Sequence, residues 1–145
     1  MLLLIIFVID LEHQIIPDPL TYVGIVILLL YTFIFDQGNL FSSLLSGFTA
    51  ASFLMLINLV TKGRGMGLGD IKFAVLGGLF VGFKLMPIWL LLSFLTGGIL
   101  GSILILTGKA GFKTKIAFGP FLILGILFAT IFGDKIMNLI GFPFI

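Results

Sequence analysis

Two aspartates stand at the mouths of apolar runs in a chain that carries little charge. Asp10 closes the stretch MLLLIIFVI. Asp70 follows a loop with three glycines (Gly65, Gly67 and Gly69) in GMGLGDIKF and precedes an apolar run broken only by Lys72. A carboxylate so placed is costly in a membrane-like setting and is a functional candidate by default. The plainer reading is that both merely mark helix ends, with Asp70 capping a helix N-terminus and complementing its dipole. Their occurrence together suggests one kind of chemistry. Two carboxyls held close in a poorly hydrated site cannot both ionise, so the pair shares a proton and titrates as a unit. The ionised member then takes a proton from water while the protonated member donates to a peptide carbonyl. That is aspartyl hydrolysis, which needs neither metal, cofactor nor covalent intermediate.

The glycines fit the same picture. Without side chains, Gly67 and Gly69 let a substrate backbone approach and allow positive φ, and an extended peptide could add along such a loop as a strand. Alternatively they make only a tight turn and a close helix contact. The other acids read differently: Asp36 in DQGN and Asp134 in GDK have turn-like neighbours and are expected to be solvated loop residues. His13 beside Glu12 is expected to be interfacial, because a chain with one histidine and no cysteine offers little for a metal.

The elements that must position these groups follow from composition. Sixty per cent of the 145 residues are hydrophobic and 10% are charged, against roughly a quarter charged in ordinary globular chains. With a mean hydropathy of +1.34, the chain cannot cover itself in polar surface, and its solvent is lipid. Uncharged stretches run over 19–35, 38–61, 73–83, 85–108 and 116–133, with a partial run over 1–9 and a weak one over 136–145. A span needs about 20 apolar residues, so the expectation is an all-α, polytopic transmembrane bundle of about six helices forming one domain over 1–145. Nine residues of helix reach only about 13.5 Å. Either the chain is a fragment of a longer protein, its first helix truncated, or that helix is a partial span; the expectation favours the fragment. The Gly78/Gly82 and Gly97/Gly101 spacings are expected to pack helices, and Trp89 and Tyr22 to lie in aromatic belts.

If the chain alternates sides, the 10–18, 62–70 and 108–116 connections share one face. They carry Lys62, Arg64, Lys109, Lys113 and Lys115, whereas the opposite connections carry only Lys84 and Lys135. The positive-inside rule makes the first face cytoplasmic. The net charge of +2 is thereby accounted for by loops, with no nucleic-acid partner. Both Asp10 and Asp70 then fall on the cytoplasmic side.

Taken together, DLEHQIIPD (10–18) and GMGLGDIKF (65–73) resemble the two signature regions of the type IV prepilin leader peptidases, membrane aspartyl proteases of the GxGD class. IAFGPFLILG (116–125) resembles a third family segment, with Ala117 at a position where the family often has proline. The resemblance implies that Asp10 and Asp70 are the catalytic pair, with Gly67, Gly69, Lys72, Pro17 and Asp18 around the substrate. It further implies prepilin or pseudopilin substrates, cut at the cytoplasmic face of a prokaryotic inner membrane. Bifunctional members also N-methylate the processed pilin and carry paired CxxC motifs, which these cysteine-free residues do not contain, so the resemblance covers the peptidase portion. The competing reading is a small proton-coupled transporter or channel subunit that uses the same carboxylates. Such proteins usually place coupling acids near the midplane, often between inverted repeats. Here both acids lie on one face and no repeat is found.

Overall fold

Hydrocarbon offers no hydrogen-bond partner to a backbone, so apolar runs of this length must satisfy their own amides as helices. The computed structural model describes residues 1–63, 65–108 and 118–140, and all their regular structure is helical. Helix α1 (Leu2–His13) ends at Gln14, whose left-handed conformation returns its N–H to the Asp10 carbonyl. Helix α2 (Asp18–Phe35) starts behind Pro17, with a second proline in its first turn, where the missing N–H costs nothing. After the turn at Asp36, held by Asn39 Nδ2 donating to both Asp36 carboxyl oxygens at 3.0 Å, comes α3 (Leu40–Val60). Helices α4 (Leu68–Leu106) and α5 (Gly119–Ile140) complete the chain. Among the described residues four helices are long and apolar enough to cross a membrane, and the protein is a multi-pass membrane protein.

At 39 residues, α4 would reach about 58 Å if straight, nearly twice a bilayer core. It is not straight. Gly82 has φ 75° and ψ 166°, a conformation essentially reserved for glycine, and the chain reverses there. The Trp89 ring packs on Gly77, with ring atoms 2.5 Å from where a Cβ would stand. Twelve residues of continuous helix would hold these two about 18 Å apart. The limbs 68–81 and 83–106 therefore fold back on each other. Leu85 lies beside Gly133, Ser93 beside Gly125 and Phe121 beside Gly97, so the second limb runs antiparallel to α5. Gly47 against Gly78 and Asn58 against Met66 make the first limb antiparallel to α3. Among the described residues five helices stand where about six were expected, because the expected spans over 73–83 and 85–108 are the two limbs of α4, joined through Gly82 without a loop.

Small residues permit the close approaches. A Cβ on Gly78 would stand 2.6 Å from the Gly47 Cα, and Ala74 is fully buried. Three expectations are corrected. Gly82 packs against nothing and turns the chain instead. Trp89 is fully buried, not interfacial, and its indole N–H donates to the Leu122 carbonyl at 2.8 Å. Asp134 and Lys135 lie within α5, which continues to Ile140, and Asp134 accepts from Lys84 Nζ at 3.0 Å. Of the basic residues that set the expected orientation, Arg64, Lys109, Lys113 and Lys115 lie outside the described residues.

Candidate active site

The alternation of helices brings the end of α1, the start of α2, the end of α3 and the starts of α4 and α5 to one end of the bundle. Asp10 projects from the last turn of α1 and is 3% exposed; Asp70 lies in the first turn of α4 and is 9% exposed. Ile16 links the two positions, lying against Gly69, the neighbour of Asp70, and against Gly119, which lies on the Asp10 carboxyl. Neither carboxylate is paired with a cation among the described residues.

Each carboxylate meets backbone rather than a charged side chain. Gly67 N–H donates to Asp70 Oδ2 at 3.2 Å, and a Cβ on Gly67 would stand 3.0 Å from that oxygen. This loop is moored from below. Asn58 Nδ2, near the end of α3, donates to the Met66 carbonyl at 2.6 Å, and Gly65 N–H donates to Thr61 Oγ1 at 3.0 Å. The Gly119 N–H, at the first turn of α5, lies toward the Asp10 carboxyl, and Asp10 Oδ2 is buried without a hydrogen-bond partner. A side chain at Gly119 would enter the carboxyl, with its Cβ 3.0 Å from Asp10 Cγ and in contact with Oδ2.

Gly67 and Gly69 do not use positive φ; among the described glycines that freedom is used at Gly63, Gly82 and Gly108. Both serve close approach. Gly67 lies on the Asp70 carboxylate, and Gly69 receives Ile16, whose Cβ is 3.3 Å from where a Gly69 Cβ would stand. The bare face of Gly69 is thus filled by this chain's own loop. Pro17 is the residue before α2, and Asp18 accepts from Lys72 Nζ at 2.7 Å, with Tyr22 beneath the ammonium, 5.9 Å from Nζ to the ring centroid. The structure therefore gathers Asp10, Asp70, Gly67, Gly69, Pro17, Asp18 and Lys72 at one end.

Sequence reasoning passed over Asn58, Ile16 and Gly119. Asn58 carried a signal, being the one amide in LMLINLV. Gly119 lies in the third segment, whose first residues, Ile116 and Ala117, fall outside the described region. Ile16 is one apolar residue among many and carried none.

Two buried carboxylates, each beside glycine backbone, thus lie at one end of a multi-pass helical membrane protein. The model of the type IV leader peptidase family matches residues 1–102, and the chain belongs to that family. It is similar to the prepilin leader peptidase/N-methyltransferase of Stutzerimonas stutzeri, at 33% identity over 138 residues covering 92% of this chain and 48% of that protein. The proteins of the same name from Pseudomonas aeruginosa and Legionella pneumophila are 35% and 37% identical over 138 residues, covering 92% and 90% of this chain and 48% and 47% of theirs. The chain thus spans about half the length of the curated relatives it matches. No solved structure matches it.

Proposed function

We propose that this chain is the peptidase portion of a membrane aspartyl endopeptidase that removes the short basic leader from type IV prepilin-like proteins at the cytoplasmic face of a bacterial inner membrane. One observation supports the reading: Asp10 and Asp70, 60 residues apart in sequence, are both buried at one end of the bundle, with no cation paired to either among the described residues. The names borne by the relatives support the substrate class, and family membership leaves the transporter reading without support.

In the reaction, one carboxylate accepts a proton from water as the water oxygen bonds to the scissile carbonyl carbon. The other carboxyl gives its proton to the carbonyl oxygen. Collapse of the tetrahedral adduct breaks the C–N bond: the carboxyl that took the water proton gives it to the departing amine, the other carboxylate takes a proton back from the adduct's hydroxyl, and the pair is again singly protonated. Gly67 N–H fixes the Asp70 rotamer, and the closeness of Gly119 fixes that of Asp10, so neither carboxyl must reorganise during the transfer.

The test is cleavage of a prepilin by the full chain in membranes, followed by the gel shift on leader loss. Asp10→Asn and Asp70→Asn should each abolish cleavage while inserting normally, because an amide can neither accept nor supply the required proton. Processing at the wild-type rate by both variants would sink the mechanism.

A further inference from the structure

Resting on that reading, we infer that Asp18 and Lys72 form a positioning strap that sets the register of the two aspartates, and do not contact the substrate. The strap spans 54 residues of sequence and joins the first residue of α2 to the opening turns of α4, with a 2.7 Å bond from Lys72 Nζ to Asp18 Oδ2. Lys72 lies two residues after Asp70. Asp18 lies two residues after Ile16, and Ile16 is the contact between the two halves of the site. It is 7% exposed, and it wedges between Gly69, next to Asp70, and Gly119, which lies against the Asp10 carboxyl, with Ile16 Cδ1 3.1 Å from where a Gly119 Cβ would stand.

The segment around Ile16 has no helix to hold it. Residues 14–17 join α1 to α2, beginning at the left-handed Gln14. A wedge on such a segment keeps its place only if its ends are fixed. One end is α1 itself, which carries Asp10; the other is Asp18, which Lys72 ties to α4. The chain of contacts therefore closes on itself: Asp10, Ile16, Asp18, Lys72, Asp70. Tyr22, one turn along α2, lies beneath the same ammonium and adds a second point of contact between α2 and Lys72. Each charge is already engaged by the other, which leaves neither as an unsatisfied partner awaiting a substrate group. A misplacement of about 1 Å between reacting groups costs about 100-fold in rate, so a strap of this kind acts on turnover rather than on binding.

A double-mutant cycle tests this. Asp18→Asn, Lys72→Met and the double variant are compared with the wild-type full chain in lipid nanodiscs, with initial rates of prepilin cleavage normalised to folded protein. Each single substitution should lower kcat about tenfold with KM within about twofold, and the double should be no worse than either single. The loss in Lys72→Met should also be unchanged when charged substrate residues flanking the cleaved bond are replaced by neutral ones. Losses that multiply to about 100-fold in the double, a tenfold rise in KM, or a Lys72→Met defect that vanishes with the neutral substrate would each overturn the strap in favour of direct substrate contact. If Asp18→Asn fails to accumulate, the substrate-neutralisation arm decides on Lys72→Met alone. Asp10→Asn run in parallel separates the two ideas: a wild-type chain that does not cleave refutes the peptidase reading, whereas one that cleaves but shows multiplicative losses refutes only the strap.

Discussion

Gly-Asp closely followed by lysine occurs twice in this chain, as Gly69-Asp70-Ile71-Lys72 and as Gly133-Asp134-Lys135, and the two copies meet different fates at opposite ends of the bundle. Asp70 opens α4 and is buried at the same end of the bundle as Asp10, with the Gly67 N–H on one oxygen. Asp134 comes late in α5, its side chain is 72% exposed, and it is answered by Lys84 across the turn at Gly82. The lysines differ as well, because Lys72 reaches past its neighbouring aspartate to Asp18. What separates the copies is the direction of the helix each belongs to. A carboxylate in the first turn of a helix faces unsatisfied N–H groups, whereas one in the body of a helix, as Asp134 is, has none to accept from and is answered by a cation or water. Composition alone makes the two copies equivalent; topology does not.

The largest test of that difference exchanges the same atoms at both places. Asp70→Asn should lower leader cleavage by about three orders of magnitude or more, in the upper range for loss of a general acid or base. Asp134→Asn should stay within about twofold of wild type in the same assay. Equal losses at the two sites would show that burial at the Asp10 end of the bundle confers nothing.

A second pair of substitutions contrasts two glycines. Gly119→Ala drives a methyl into the Asp10 carboxyl, and the neighbouring Ile16 leaves no room for retreat. Cleavage should fall about 100-fold or more, the cost of displacing a reacting group by about 1 Å. Gly133→Ala meets only the far end of the Leu85 side chain, at 2.7 Å. Leucine can rotate, and alanine gains about 1 kcal/mol of helix propensity over glycine, so cleavage and thermal midpoint should change little. The steps in chain length between these four residues suggest nothing of the contrast; only the packing does.

How far the sequence reaches is visible in particular residues. The apolar runs placed α2 and α3 within a few residues, because a long uncharged stretch in lipid has no alternative to helix. Asp10 and Asp70 stood out in the sequence by their cost, their shared side and the glycine loop before Asp70, since a carboxylate behind nine apolar residues needs a reason. Gly82 was misread, because a glycine at GxxxG spacing and a glycine that reverses the chain look identical until φ is known. Trp89 was misread for a similar reason: an indole near a span end is interfacial unless a carbonyl such as that of Leu122 is aimed at it. Asp134 was taken for a loop residue because GDK has turn chemistry, yet its partner Lys84 lies 50 residues away on the adjoining limb. Ile16 and Gly119 owe their importance to contacts between segments about 50 to 110 residues apart, and no local pattern encodes those.

The turn at Gly82 sits between the two copies and sets how far apart they lie. An alanine there would be forced into φ 75°, ψ 166°, a conformation costing an L-residue about 1–3 kcal/mol. Gly82→Ala should therefore lower the thermal midpoint in detergent measurably, although a Cβ would meet nothing within 4 Å. A Gly78→Ala variant also destabilises, but through collision with the Gly47 backbone. Shortening the side chain opposite therefore offers no relief at position 82, and none at 78 either, where the obstacle is main chain. An unchanged midpoint in Gly82→Ala would mean that the reversal tolerates a different local path.

The smallest effect belongs to the ion pair beyond that turn. Lys84 Nζ and Asp134 Oδ1 are 3.0 Å apart, but the two side chains are 56% and 72% exposed. Pairs this open contribute about 0–1 kcal/mol, because water screens the attraction and two flexible side chains must be held still. Lys84→Met should therefore shift the thermal midpoint by no more than a few degrees, and raising the salt from about 0.05 M to 1 M should remove most of the difference between variant and wild type, since the screening length falls to about 3 Å. Cleavage should be unaffected, as the pair lies at the far end of the bundle from Asp10 and Asp70. The contrast with Lys72 is the informative part. Both lysines make a short bond to an aspartate from a neighbouring helix, and both are partly exposed, so a count of ion pairs ranks them together. If loss of Lys84 slows turnover as much as loss of Lys72 does, then any disturbance of helix packing reaches the active site, and the strap at Asp18 has no special standing. A silent Lys84→Met beside a tenfold slower Lys72→Met would locate the difference in what each lysine holds in place.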